Sequence, residues 1–184
     1  YWDKKHVDWL SQDYRGRRVH CAGFFQEPQF YENDREKVRS WLNLIPVQDR
    51  SDDIVMHIRL GDYGDREVRS ILNPQYYKRA LEIERYRRGS PRKLYLVCEY
   101  PQDRYIQYLS QYRPILISGS AKDDFHFLRS CGTIISSNSS YAWWAAYLSN
   151  ARTVYTPRLW MRNCPWLRLQ HTKGFTPIEG TFLR

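Results

Sequence analysis

The chain has 184 residues, with 42% hydrophobic and 27% charged side chains and 29 basic against 20 acidic groups, for a net charge of +9. That profile suits one globular domain with a core, or one domain plus an extension. The chain holds no run of about 18 consecutive apolar residues, so no membrane-spanning helix is predicted.

In chain order, residues 1–50 are aromatic-rich and irregular in pattern, with a candidate strand at Val19–Phe25. Tyr31 to Leu44 reads as an amphipathic helix with Val38, Trp41, Leu42 and Ile45 at helical spacing, closed by Pro46. From residue 51 the rhythm is regular. Strands are expected at Ile54–Ile58, Lys93–Cys98, Pro114–Ser118, Thr133–Ser136 and Thr153–Tyr155. Helices are expected at Pro74–Tyr86, Asp103–Gln111, Asp123–Ser130 and Ser139–Ser149, and the tail after Tyr155 reads as irregular. Nearly continuous apolar strands separated by helices predict an α/β domain: a parallel Rossmann-like sheet with helices on both faces. The expected division is a partial N-terminal region over 1–50 and a Rossmann-like domain over 51–184.

Four cysteines, Cys21, Cys98, Cys131 and Cys164, are widely spaced and lack a C-x-x-C pair. Free thiols in a reducing compartment are expected rather than zinc or disulfides. With no secretory signal pattern, this favours a bacterial-type cytoplasmic protein, with a Golgi luminal domain freed of its anchor as the alternative. The basic charge suits anionic partners: phosphorylated substrates, nucleic acid, or a membrane surface touched peripherally. The arginines are scattered and no nucleic-acid-binding signature is present, so nucleic acid ranks last. Oligomeric state is not readable.

Two segments carry chemistry. His57-Ile-Arg59-Leu-Gly-Asp62-Tyr63 follows one strand, and Ser136-Ser137-Asn138-Ser139-Ser140 follows another. In a doubly wound sheet, ligands bind beyond the carboxyl ends of the strands, where both segments fall. The Arg59 guanidinium is a planar fork of donors suited to phosphate oxygens, although pairing with Asp62 or Asp65 would serve a surface arginine equally well. His57 shares a strand face with Arg59. Asp62, Asp65 and Glu67 are carboxylates that could take a proton from an acceptor hydroxyl, with loop solvation the better account of Asp65. Asn138, Ser139 and Ser140 open a helix whose N-terminus can hold an anion, or they merely cap it. Asn138-Ser139-Ser140 is also a formal N-glycosylation sequon, which its place at a pocket mouth makes accidental. Trp143 and Trp144 suit core packing better than sugar stacking. Asp124 either complements a helix dipole or offers two oxygens to guanine. The spacing favours no metal-bridged diphosphate.

These residues resemble a known family. His57-Ile-Arg59-Leu-Gly-Asp62-Tyr63, Asp123-Asp124-Phe-His-Phe-Leu-Arg-Ser-Cys131, Ser137-Asn138-Ser139-Ser140-x-x-Trp143-Trp144-Ala-Ala and Tyr155-Thr-Pro157-Arg-Leu-Trp160 are similar, in order and spacing, to the alpha-1,2-fucosyltransferases. Gly23-Phe-Phe-Gln26 is similar too. The resemblance implies a two-lobed, GT-B-like glycosyltransferase moving L-fucose from GDP-fucose to the 2-hydroxyl of a galactoside-type glycan, with inversion. GDP-fucose is then a substrate, and no metal or other cofactor is implied. Arg59 would hold the diphosphate, His57 and Asp124 would belong to the guanine-nucleotide site, and Ser139 and Ser140 would contact phosphates. Asp62 and Glu67 would be the base candidates. Two departures stand out. The family motif carries two adjacent arginines where this chain has Arg59 and Leu60, and its glycine-rich opening segment has no counterpart here. An N-terminal truncation is expected on that ground, and a module that binds nucleotide without transferring sugar is the alternative reading.

Overall fold

The computed structural model describes residues 15–16, 33–42, 44–65, 70–89, 91, 93–162 and 172–183. The expected strand at Val19–Phe25, Cys21, Cys164, Gly23–Gln26 and Glu67 lie outside the described residues.

Among the described residues, six strands form one sheet: β1 Arg50–Ile58, β2 Leu94–Cys98, β3 Ile115–Ile117, β4 Cys131–Ile135, β5 Thr153–Pro157 and β6 Phe175–Ile178. All neighbouring pairs are parallel, and their order is β3-β2-β1-β4-β5-β6. β2, β4 and β5 are buried along their whole length, which is why their sequences are unbroken apolar or small-polar runs rather than alternating ones. Residues on one face of β1, Ile54, Met56 and Ile58, pack on Tyr76, Tyr77, Ala80 and Leu81 of helix α2 (Pro74–Arg88) and on Tyr105 and Ile106 of the short helix α3 (Arg104–Gln107). The other face, through Val55, Tyr95 and Val97, meets Leu128 of α4 (Ala121–Ser130) and Ala145 and Ala146 of α5 (Ser140–Tyr147). Helices therefore cover both faces of the sheet.

Local chemistry sets the helix starts. Asn73 caps α2 by accepting from the Gln75 N–H at 3.0 Å, with Pro74 in the first turn. Asp103 caps α3 and Ser120 caps α4 in the same way. Gly89, at φ 78°, ends α2 in a conformation that favours glycine.

Three expectations change. The first helix (named α1 here) is shorter, Arg35–Trp41, and of its expected apolar face only Val38 is buried, against Trp143, Tyr147 and Trp160. Trp41, Leu42 and Ile45 are exposed. The expected Asp103–Gln111 helix divides into α3 and a 3₁₀ turn, Ser110–Tyr112, ended by Arg113 at φ 50°. The tail contains β6, which pairs along β5 with Thr156 opposite Pro177. Proline cannot donate to a ladder, so it is tolerated here because β6 is an edge strand.

Candidate nucleotide site

β1 and β4 are adjacent in space, and the chain runs outward to β2 and β3 on one side and to β5 and β6 on the other. Their carboxyl ends are the topological switch point, where doubly wound sheets open a crevice. His57, Arg59 and the segment 136–140 lie at these ends.

His57, 4% exposed, is the penultimate residue of β1. Its Nδ1 lies 2.7 Å from the Ser137 Oγ in the loop after β4. The ring also lies 5.6 Å from that of Tyr141. Burial, and secondarily the nearby Arg59 charge, hold its pKa down to about 3. His57 is thus a neutral hydrogen-bonding group that ties the two loops together, rather than a proton shuttle near pH 7.

Arg59 leaves β1 and is about one third exposed. Its Nη2 donates to Asp62 Oδ1 at 2.8 Å and its Nη1 contacts Glu99 Oε1, while the guanidinium centre lies 5.5 Å from the Tyr63 ring centroid. The sequence offered Asp62 or Asp65 as partners; the partners found are Asp62 and Glu99. Glu99 was missed. Its one signal is position, directly after the fully buried strand β2, where an acidic residue emerges at the ligand end of the sheet. Gly61 is needed in the intervening 3₁₀ turn, Gly61–Gly64. Its φ is 50°, and an added Cβ would fall 3.2 Å from Glu99 Oε2 and 3.3 Å from the Tyr100 ring.

The second wall is built from inside. Tyr76 donates to the Ser136 carbonyl at 2.7 Å, and Ser136 Oγ donates to the Ser137 carbonyl at 2.8 Å. Asn138 is fully buried, and its amide donates to the Ser70 and Trp160 carbonyls, each at 2.8 Å. A side chain so held is not a glycosylation acceptor in the folded chain. The Asn138 carbonyl accepts from Tyr63 at 2.9 Å, so Tyr63 joins the Arg59 turn to this wall. Ser139 precedes α5 and makes no side-chain capping bond. The first amides of α5 lack helical partners, as at any helix start. Ser140 is half-buried.

Asp124 is half-buried in the first turn of α4. Its Oδ1 accepts from the Gly119 N–H at 3.0 Å, so one carboxylate oxygen is already engaged. Tyr141 links α5 to α4, donating to the Ala121 carbonyl. Burial, with Asp124 as a second cause, raises its phenol pKa. Trp143 is core, stacked on Tyr147 at 5.1 Å and donating to Thr172 at 2.9 Å. Trp144 packs beside it edge-on. Cys98 and Cys131 are buried free thiols, and burial pushes the Cys131 thiol up to about 12.

Among the described residues, no three His, Cys, Asp or Glu side chains gather as a metal-binding group. Nor is any helix of these residues long and apolar enough to cross a membrane. A cavity of about 570 Å³ opens at the opposite, amino-terminal edge of the sheet, lined by residues that include Glu84, Arg88, Thr133 and Arg152. Its buried acid, Glu84, is satisfied by Thr133 and Tyr155, each at 2.8 Å, so we read it as structural. The candidate chemistry lies instead at the carboxyl ends of β1 and β4, where Arg59 and the His57–Ser137 pair meet.

Comparison with known proteins points the same way. The chain is 24% identical, over an alignment 218 residues long, to galactoside alpha-(1,2)-fucosyltransferase 2 of Pongo pygmaeus, covering 99% of this chain and 60% of that protein. It is 24% identical over 212 residues to the Bos taurus protein of that name, with 99% and 59% coverage. Galactoside alpha-(1,2)-fucosyltransferase 1 of Aotus nancymaae is 23% identical over 207 residues, with 96% and 54% coverage. The chain thus spans somewhat over half the length of these relatives. No solved structure gives a significant match. The family model "Glycosyl transferase family 11" matches residues 17–168, and with that match over most of its length the chain belongs to glycosyl transferase family 11.

Proposed function

We propose that this chain binds GDP-fucose in the β1/β4 crevice and serves transfer of L-fucose, with inversion, to the 2-hydroxyl of a galactoside-type glycan, without metal or other cofactor. The observation that carries the reading is the convergence of three groups at the switch point: Arg59, the His57–Ser137 pair, and the N-terminus of α5. The names of the relatives supply the sugar and the linkage.

In this reading the acceptor oxygen attacks the anomeric carbon from the face opposite the diphosphate. The bond from that carbon to the diphosphate oxygen breaks, GDP departs with the electron pair, and the configuration inverts. A carboxylate takes the acceptor hydroxyl proton, with Asp62 and Glu67 as the candidates. Asp62 hydrogen-bonds to Arg59, so it could sense the departing charge. Arg59 and the α5 amides, Ser139 and Ser140 among them, would stabilise the leaving diphosphate. His57, neutral, and Asp124, through its second oxygen, would face the nucleoside.

Loss of one preorganised donor of this kind costs about 10²–10³ in rate. Arg59→Ala is therefore expected to lose at least that factor in fucosyl transfer measured with labelled GDP-fucose, with its circular dichroism unchanged. Turnover like the wild type would refute the assignment.

A second reading, nucleotide binding without transfer, is favoured by Leu60. It is buried, 3% exposed, where the resemblance expects a second cation. Fucosylated product formed by this chain eliminates that reading, and GDP binding without product supports it.

A further inference from the structure

Arg59 is the cation offered to a diphosphate by the turn after β1, yet both of its terminal nitrogens already meet carboxylates. Asp62 takes Nη2 at 2.8 Å and Glu99 takes Nη1. Its neighbour Leu60 is apolar and buried, and adds no charge. One positive charge thus already faces two carboxylates before any anion arrives. We propose that Glu99 is a specificity-determining residue, an internal competitor for Arg59 that sets how tightly the site holds a diphosphate. The inference rests on the crevice being the diphosphate site.

The two carboxylates are not equivalent. Asp62 lies three residues from Arg59 in a hydrogen-bonded turn, where Tyr63 N–H donates to the Leu60 carbonyl and Asp65 N–H to the Asp62 carbonyl, both at 3.1 Å. Turn geometry keeps Asp62 beside Arg59 whatever else binds. Glu99 reaches across from the end of a different strand, and its side chain is 34% exposed. It has a longer stem and water to swing into. Partly exposed ion pairs are weak, so a doubly charged phosphate can displace one. Glu99 is then the carboxylate that yields, and its departure frees the Nη1 side of the fork. The competition acts only on the anion: guanosine, which lacks phosphate, gains nothing when Glu99 is absent.

The test is calorimetric titration of wild type, Glu99→Gln and Glu99→Asp with inorganic pyrophosphate, GDP and guanosine. Glu99→Gln preserves volume and removes charge, and is expected to tighten pyrophosphate and GDP about two- to fivefold. Glu99→Asp keeps the charge on a shorter stem and should fall between. Guanosine affinity should not change. Unchanged or weaker pyrophosphate binding by Glu99→Gln overturns the proposal, as does equal tightening of all three ligands. So does an absence of pyrophosphate binding by every variant. If pyrophosphate binds and tightens while GDP does not bind, the nucleotide reading fails and the competition stands.

Discussion

His57 is 4% exposed and hydrogen-bonded to Ser137, and its pKa is held down to about 3. An unfolded histidine titrates near 6.5, so below that pH the unfolded chain binds a proton that the folded chain refuses. The contribution of this group to stability is therefore complete above pH 6.5 and is lost as pH falls toward 3, at about 1.4 kcal/mol per pH unit. Urea unfolding of wild type and His57→Gln between pH 7 and 5 should show a steeper loss of stability in the wild type. Equal slopes would mean that His57 is not buried neutral. His57 and Arg59 could be picked out beforehand because each stands at the end of an apolar strand. Glu99 could not be paired with Arg59, because the contact joins residues 40 positions apart through the β1/β2 register, in which His57 faces Val97.

At the scale of elements, the β1/β4 contact makes the crevice, and it has a backbone requirement. The register of the pair shifts between Arg50 and Ile54, and at this irregularity Gly132 meets the start of β1. A Cβ on Gly132 would fall 1.8 Å from the Ser51 carbonyl oxygen. Backbone, unlike a flexible side chain, cannot swing aside, so Gly132→Ala is expected to cost about 3 kcal/mol or more in chemical denaturation. An unchanged denaturation midpoint would contradict the pairing. The same pair brings the β1 turn close enough to the β4 loop for Tyr63 to reach the Asn138 carbonyl. The helices and strands after residue 51 were legible because their apolar runs and caps are local. The buried face expected of α1 was not: spacing shows which residues share a side, and the tertiary structure covers Val38 and leaves Trp41, Leu42 and Ile45 in water. β6 was hidden because Phe175–Ile178 is short and contains a proline, and its neighbour in space, β5, ends 18 residues upstream.

For the whole molecule, ligand binding at the crevice should report as stability. A ligand at 100 times its Kd stabilises the folded state by about 2.7 kcal/mol, and each kcal/mol raises Tm by roughly 2–4 °C in a domain of this size. GDP at that excess is thus expected to raise Tm by roughly 5–10 °C, with a much smaller effect from UDP; equal shifts from both would remove the guanine-specific role proposed for Asp124. Considerable information was present in the sequence alone. Unbroken apolar strands alternating with capped helices require a parallel sheet covered on both faces, because such strands can be satisfied only by burial on both sides. The motif residues, read in order, pointed to the fucosyltransferases. Only the tertiary structure decided the strand order β3-β2-β1-β4-β5-β6, and with it which strand ends share a crevice. It also decided that the Arg59 fork is held by Glu99 as well as Asp62. Those outcomes depend on pairings between distant segments, where packing and register choose the neighbour, and no local pattern of residues encodes that choice.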